Sequence, residues 1–308
     1  MRVLFWGTPE FACPPLEALL GEGFEVSGVV TQPDKPVGRS RSRLVAPPVK
    51  EIALRERLPV FQPETTKDPE FREMIGLLAP DISVVVAYGR LLGDPVIALP
   101  KHGTINIHAS LLPRLRGAAP IQAAIREGHT ETGVTIMRMV RELDAGPIIL
   151  QQSTPIAEDE TFGELSLRLS ELGAATLIQA LAMIDQGVAT ETPQDAGLAT
   201  YAPKIDRDIA RIRWTDDAAV VARHIRAHDP APGAWTTLEG RKVKLFGGRE
   251  VEGGDKPGTV MAIEPAGMIV ACGTGAVRVQ QVHPEGGKRL DAAAWHRGRG
   301  VSRGNRFD

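Results

Sequence analysis

The chain has 308 residues, enough for two domains and a sizeable core, and a formal net charge of -2. Its two cysteines, Cys13 and Cys272, lie far apart and form no C-x-x-C pair, which argues against a disulfide scaffold and a cysteine zinc site and fits a reduced, cytoplasmic setting. The first apolar run is too short for a signal peptide, and no stretch of about 18 apolar residues stands out, so no membrane span is expected. The charge is uneven: residues 205–308 carry 17 Lys+Arg against 13 Asp+Glu, and the rest of the chain is acidic. A basic C-terminal part is compatible with a polyanionic partner, although the excess is small.

In chain order, residues 3–6 read as a short buried strand. Gly7-Thr8-Pro9-Glu10-Phe11 follows, where a dinucleotide-binding fold would carry G-x-G-x-x-G. Those glycines are missing, and Pro9 removes a phosphate-facing N–H. A helix over 14–20 and a strand over 26–31 come next. That strand ends at Thr31-Gln32 with no acidic residue placed for a ribose, so the sheet reads as Rossmann-like without NAD. The loop after the first strand would then shape the site or touch an acceptor. From Gln32 to Arg43, three arginines (Arg39, Arg41 and Arg43) alternate with small residues and are flanked by Pro and Gly. The spacing predicts an exposed loop rather than a strand or helix. Arginine there suits a phosphate backbone, and a solvated charge run explains the pattern equally well taken alone.

Further strands are expected over 82–86, 104–108 and 134–139, with helices between them, one near 121–127. The alternation argues for α/β architecture with a parallel, doubly wound sheet. Asn106 and His108 lie two apart, so on a strand both point to one face. They fall near its C-terminal end, where open α/β sheets bind ligands. Asp144 follows the next strand, in Leu143-Asp144-Ala145-Gly146. One amide, one imidazole and one carboxylate at one rim suit acyl transfer to an amine. The amide N–H and a protonated imidazole can hold the oxygen that turns negative. A carboxylate beside the imidazole favours its charged form and can take the amine's proton, directly or through water. No Ser or Cys nucleophile is needed, because the amine attacks. The plainer alternative is a hydrogen-bonded Asn, a satisfied His and an Asp capping a turn.

A long helix is expected over 161–185, with Leu165, Leu169 and Leu172 at helical spacing and Gly187 as its stop. Residues 189–204, rich in Thr, Pro, Ala and Gln, read as a linker between a catalytic domain over 1–188 and a C-terminal domain over 205–308. Thr215 is the expected N-cap of a helix over 216–227. Short strands over 234–238, 242–246, 258–263, 268–272 and 276–281, with a turn at Glu239-Gly240, suggest a small barrel. Arg241, Lys242, Lys244, Lys288 and Arg289 are candidate nucleic-acid backbone contacts, each also explicable as a solvated charge. His224 and His228 have zinc-compatible spacing but lack the glutamate of H-E-x-x-H, so no metal is expected. Trp6, Trp214 and Trp235 read as packing residues. The basic, Gly-rich stretch 296–300 reads as flexible.

The run His108-Ala109-Ser110-Leu111-Leu112-Pro113-Arg114-Leu115-Arg116-Gly117-Ala118-Ala119-Pro120-Ile121-Gln122 resembles the signature of the folate-dependent formyltransferases. Gly7-Thr8-Pro9-Glu10-Phe11-Ala12, Thr31-Gln32-Pro33-Asp34, Val86-Ala87-Tyr88-Gly89 and Thr132-Gly133-Val134-Thr135-Ile136-Met137 agree in order. In the second half Tyr201-Ala202-Pro203-Lys204-Ile205, Ala210-Arg211-Ile212-Arg213-Trp214 and Gly304-Asn305-Arg306 also fit. The resemblance implies the formyltransferase fold followed by a smaller OB-like β-barrel that binds tRNA. It implies Asn106, His108 and Asp144 as catalytic residues, and Ser110, Leu111, Leu112 and Pro113 as the loop that contacts folate. It implies 10-formyltetrahydrofolate as donor and the α-amino group of methionine on initiator tRNA as acceptor, with Arg39, Arg41 and Arg43 in a loop that enters the acceptor stem. A monomer acting in the cytoplasm, with no metal and no membrane, is expected. Leu115, Arg90 and the Asp229-Pro230-Ala231-Pro232-Gly233 run depart from the family pattern and bear on loop packing, folate affinity and tRNA contacts. Two other readings share parts of the pattern. A formyltransferase acting on a nucleotide-linked amino sugar would use the same three residues without the arginine loop. A non-catalytic RNA-binding protein on a formyltransferase-like scaffold would bind tRNA whether or not His108 is present and would show no turnover.

Overall fold

The computed structural model describes residues 1–37 and 43–308, with the side chains of Val37 and Arg43 left aside. Arg39 and Arg41 therefore lie outside the described residues, and Arg43 enters through its backbone alone. The chain divides into two compact units. One holds Met1–Gly117, Thr132–Thr154 and Ser166–Tyr201; the other holds Ala118–Glu131, Pro155–Leu165 and Ala202–Asp308.

The first unit is built on β1 (Arg2–Gly7), α1 (Cys13–Gly21), β2 (Glu25–Val30), β3 (Lys35–Val37), β4 (Arg43–Val45), α2 (Pro48–Arg55), β5 (Val60–Phe61), α3 (Pro69–Leu77), β6 (Ile82–Val86), α4 (Asp94–Ile97) and β7 (Thr104–His108). After α5 (Pro120–Glu127), which belongs to the second unit, come β8 (Glu131–Arg138), β9 (Ile148–Pro155) and α6 (Phe162–Asp185). Seven strands form one sheet in the order β5-β2-β1-β6-β7-β8-β9. The pairs β2–β5, β1–β2, β1–β6 and β6–β7 are parallel, while β7 and β8 are antiparallel. The sheet is thus mixed, not wholly parallel as the strand–helix alternation suggests. An antiparallel strand on an otherwise parallel sheet is a common variation of the doubly wound plan.

Continuous apolar runs explain the central strands. Val3, Leu4, Phe5 and Trp6 in β1 and Ile82, Val84 and Val86 in β6 are fully buried, as strands covered on both faces require. The strand order turns between β1 and β6, so the carboxyl ends there form the crevice at which such sheets bind ligands. Thr8 ties this rim together, donating to the Tyr88 carbonyl (2.9 Å) and accepting from the Gln32 N–H (3.4 Å). The glycine-poor loop after β1 thus shapes the crevice. The segment read as an irregular arginine loop is bracketed by two short strands, β3 and β4, paired antiparallel through Lys35–Val45 and Pro36–Leu44. Three-residue strands are too short to leave a period in the sequence.

Helix α6 passes, by length and composition, as a membrane span, with a window of mean hydropathy 1.3 that is 50% buried inside the protein. Leu177, Ala180, Leu181 and Ile184 belong to the core beneath the sheet. Its start is a capping box: Glu164 Oε2 accepts from the Thr161 N–H (2.9 Å), and Thr161 Oγ1 accepts from the Glu164 N–H (3.3 Å).

The second unit contains α7 (Ala218–Ala227), β10 (Ala234–Leu238), β11 (Arg241–Val251), β12 (Val260–Glu264), β13 (Gly267–Ala271), β14 (Ala276–Pro284), β15 (Leu290–Asp291) and α8 (Ala292–Arg297). Asp217, not Thr215, precedes the first turn of α7. The antiparallel sheet runs β10-β11-β14-β13-β12, with β15 on β14. Glu239 and Gly240, at φ 51° and 76°, make the β10–β11 turn, as two residues with positive φ do in the tightest hairpins. The last residues bridge both edge strands, Phe307 to Leu238 and Arg306 to Thr259 just before β12, and so close the sheet. In the stretch 296–300, His296 and Arg297 end α8, and the N–H groups of Gly298, Arg299 and Gly300 bond back to the carbonyls of Ala294, His296 and Trp295, with residues 296–299 exposed. Beyond it Val301 and Phe307 are buried, and Trp214 stacks on Phe307 at 5.7 Å.

Candidate active site

Strand β7 ends the parallel part of the sheet and carries Asn106 and His108 to the rim, as alternation predicts. Asn106 sits opposite Met137 of β8, and His108 opposite Thr135. Asn106 is half-buried, and its amide makes no hydrogen bond among the described residues. His108 is buried, and its Nε2 lies 2.9 Å from the Leu115 carbonyl oxygen. A carbonyl only accepts, so Nε2 carries the ring proton and, in the neutral ring, Nδ1 is the free base.

The loop after β7 is shaped to deliver that carbonyl. Ser110 Oγ donates to the Arg114 carbonyl (2.7 Å), and Thr135 Oγ1 donates to the Ser110 carbonyl (2.6 Å). Gln151 of β9 donates to the Leu112 carbonyl (2.9 Å). Leu115 then turns at φ 58°, a left-handed backbone that is uncommon for leucine. Leu115 is one of the departures from the resembled pattern, and its side chain is buried. Arg90, another, donates to the Pro63 carbonyl at 3.3 Å and to the Glu64 carbonyl. Of the four loop residues expected to meet a folate, Ser110 and Leu112 are buried and occupied with the loop itself, while Leu111 and Pro113 stay partly exposed.

Asp144 reaches the same place from the β8–β9 loop. Its Oδ2 accepts the Gly117 N–H (2.8 Å) and stands 3.7 Å from His108 Nδ1. The backbone at Asp144 is left-handed, φ 49°. Two residues on, a Cβ at Gly146 would come within 1.8 Å of the Arg138 carbonyl oxygen, so only glycine fits that turn. His108 and Asp144 are therefore brought together in space, and Asn106 stands two residues before His108 on the same face of β7.

Burial pushes the His108 pKa below its ordinary value; Asp144 and the Leu115 carbonyl oppose that, and Arg116 adds to it. Burial therefore favours the neutral ring over the imidazolium. The sequence suggested a charged imidazole because Asp144 is near. Burial reverses the balance, since a desolvated cation costs more than a carboxylate at 3.7 Å returns. A neutral Nδ1 facing a carboxylate is a base, and the proton it takes up would be stabilised by that carboxylate.

Residues 1–181 match the formyl transferase family, and residues 204–300 match its C-terminal domain. The methionyl-tRNA formyltransferase of Aromatoleum aromaticum is 46% identical over 100% of this chain and 97% of its own length. That of Moorella thermoacetica is 45% identical over 97% and 96%. The chain belongs to the methionyl-tRNA formyltransferase family. Among solved structures, HypX from Aquifex aeolicus shares the fold at a TM-score of 0.71 and 22% identity; the match covers 98% of this chain and about half, 48%, of HypX. The sugar 3N-formyl transferase WlaRD shares it at 0.67 and 17%, over 94% of this chain and 98% of its own.

In this member of the formyltransferase family, the residues that sequence reading passed over are the ones that hold the site's loops. Thr135 and Gln151 brace the loop after β7. Gln194 and Thr200 come from the stretch read as a linker. Thr200 Oγ1 accepts the Leu115 N–H (2.9 Å), and its carbonyl accepts the Arg116 N–H (2.8 Å). Nothing in a Thr-, Pro- and Gln-rich stretch marks such residues; the paired Thr192–Ile148 backbone bonds that fix them are long-range.

The candidate backbone contacts divide. Lys242 Nζ lies 4.4 Å from the centre of the Trp235 ring, with Arg207 and Arg211 also over it at 5.3 and 5.4 Å. Arg289, though exposed, is engaged by Asp229 (3.2 Å) and by the Phe246 ring (3.9 Å). His228 Nδ1 lies 2.7 Å from the His224 carbonyl oxygen, inside α7 and its end.

Proposed function

We propose that the protein transfers the formyl group of 10-formyltetrahydrofolate to the α-amino group of methionyl initiator tRNA, producing N-formylmethionyl-tRNA for translation initiation. The observation that carries the chemistry is the geometry of His108, held at Nε2 by the Leu115 carbonyl with Nδ1 3.7 Å from Asp144, on the same strand as Asn106, whose amide has no hydrogen bond among the described residues. The choice of acceptor rests on full-length likeness to methionyl-tRNA formyltransferases.

The crevice suits a folate. Thr31 Oγ1 is a buried polar atom at the rim with no hydrogen-bond partner among the described residues, and Leu111 and Pro113 offer partly exposed apolar surface. Bound there, 10-formyltetrahydrofolate supplies an activated formyl carbon. Asn106 donates an amide N–H to the formyl oxygen as it turns negative. His108 takes the proton of the attacking amine at Nδ1 and returns it to the departing nitrogen. Asp144 holds the imidazolium formed in between and keeps the Gly117 N–H in register. Ser110 and Leu112 shape the loop, leaving Leu111 and Pro113 as the folate contacts.

In the same reading, residues 1–188 form the catalytic domain, 189–204 the connection and 205–308 an OB-like tRNA-binding domain. Arg39 and Arg41, which follow β3 in sequence, and Arg43, the first residue of β4, meet acceptor-stem phosphates. The protein works as a cytoplasmic monomer without a metal. The test is product identity: wild type with 10-formyltetrahydrofolate and methionyl initiator tRNA should yield N-formylmethionine after mild base, and His108→Asn should not. A His108→Asn enzyme with wild-type turnover would overturn the assignment.

A further inference from the structure

The loops carrying Leu115 and Asp144 are joined by a single side chain that the chemistry itself does not use. Gln194 Oε1 accepts from Arg116 Nε (3.1 Å) and Nη2 (2.7 Å). Gln194 Nε2 donates to the Asp144 carbonyl (2.9 Å) and to the Gly146 carbonyl (2.8 Å). A primary amide has two N–H donors and an oxygen with two lone pairs, so every capacity is spent. We propose that Gln194 is a positioning residue of the active site: its amide locks the Asp144 turn to the loop of Leu115, Arg116 and Gly117, and so sets the gap between Asp144 and His108. The proposal rests on the formyl-transfer reading above.

The geometry is suited to that task. The two accepting carbonyls flank Ala145, so the clamp grips the turn in which Asp144 takes its left-handed backbone, φ 49°. On the other side Arg116 is 6% exposed, and its neighbours are the residues that matter: the Leu115 carbonyl orients His108, and the Gly117 N–H orients Asp144. Gln194 is itself fixed at both flanks. Thr192 pairs with Ile148 through two 2.8 Å backbone bonds, and Thr200 holds Leu115 and Arg116. A buried guanidinium whose one side-chain partner among the described residues is a neutral amide oxygen is costly to desolvate, which fits a residue that serves alignment. A glutamate at this position would keep the acceptors for Arg116 and set a carboxylate against two carbonyl oxygens. A methionine would fill the space and make neither set of bonds.

The charged groups facing His108 are Asp144, from the β8–β9 loop, and Arg116, from the loop after β7. If the clamp holds Asp144 in place, its loss withdraws the carboxylate and lowers the His108 pKa further. The experiment compares Gln194→Met and Gln194→Glu with wild type in steady-state formyl transfer, thermal unfolding and a histidine-labelled NMR titration, in which His108→Asn assigns the His108 signal. Misplacing a catalytic group by about 1 Å can cost about 100-fold. Both variants should therefore lose about 10- to 100-fold in kcat while KM for donor and acceptor moves less than about threefold. Gln194→Met should also move the His108 titration to lower pH. Gln194→Glu, which keeps Arg116 partnered, decides the matter should the methionine variant fail to fold. A folded Gln194→Glu enzyme with wild-type kcat would overturn the proposal. So would a kcat loss in Gln194→Met with an unmoved His108 titration, the pattern of a merely structural residue. The titration needs no substrate, so a wild-type enzyme that transfers no formyl group sinks the functional reading and leaves the His108 shift to judge Gln194.

Discussion

Replacing Asp144 with asparagine removes a charge and keeps an oxygen that can still accept the Gly117 N–H. The loop should hold, so the effect isolates electrostatics. In the resting site the imidazole is neutral and gains little from the carboxylate; the gain comes when Nδ1 takes up the amine's proton 3.7 Å from Oδ2. Both side chains are largely shielded, at 6% and 14% exposure. At that separation, and with an effective dielectric near 20, the attraction is about 4 kcal/mol. Part of it is realised in the transition state, where the proton is in flight, so kcat should fall about 10²- to 10³-fold. Acceptor and donor KM should change by less than about threefold, since neither ground state contains the imidazolium. The pH profile carries the sign. His108 must be neutral to act, so kcat falls as pH drops through its pKa. Asp144 raises that pKa, so its removal shifts the acid limb to lower pH while the plateau falls. The assay is single-turnover formyl transfer across pH, with thermal unfolding as a control. An Asp144→Asn enzyme with kcat within about threefold of wild type would refute the reasoning, as would an acid limb that moves up.

Asn106→Ala removes an oxyanion donor without leaving a buried partner unpaired, and kcat should drop about 100-fold or more with the fold intact; steady-state kinetics with circular dichroism checks it. Changing Arg39, Arg41 and Arg43 together to alanine should raise KM for the tRNA and flatten its dependence on salt concentration by about 2 to 3 in log–log slope, read from KM measured in a KCl series. Gly133→Ala would push a Cβ to 2.2 Å from the Gln152 carbonyl oxygen between β8 and β9; a loss of about 1–3 kcal/mol is expected in denaturant unfolding. Burial pushes the thiols of Cys13 and Cys272 up to about 11 and about 12, so both should resist alkylation at pH 7.5 until the protein is unfolded, as mass spectrometry of iodoacetamide-treated samples would show.

Much of the site was legible because it sits on periodic structure. Asn106 and His108 lie on a strand whose apolar neighbours, Ile105 and Ile107, are buried, and two-residue spacing alone puts both polar groups on one face. The direction of β8 was not legible: the connection from β7 to β8 contains α5, and a strand–helix–strand run reads as a parallel crossover whether or not it is one. The charge state of His108 was misread for a different reason. A nearby carboxylate is visible in sequence, whereas the burial that outweighs it, with His108 5% exposed and its Nε2 against the Leu115 carbonyl, depends on tertiary folding. Gln194 left no signal at all, being one polar residue in a polar stretch whose value comes from four hydrogen bonds to residues far away in sequence. The packing of the tail beyond residue 300 was not legible, because the apolar residues that anchor it, Val301 and Phe307, are isolated among Gly and Arg.

The most direct test of the central claim is single-turnover transfer of labelled formyl from 10-formyltetrahydrofolate, with methionyl initiator tRNA, methionyl elongator tRNA and a nucleotide-linked amino sugar offered in parallel. Rapid labelling of the initiator tRNA alone is the predicted result. Labelling of the amino sugar with neither tRNA modified would keep the chemistry of Asn106, His108 and Asp144 and contradict the assignment of the acceptor.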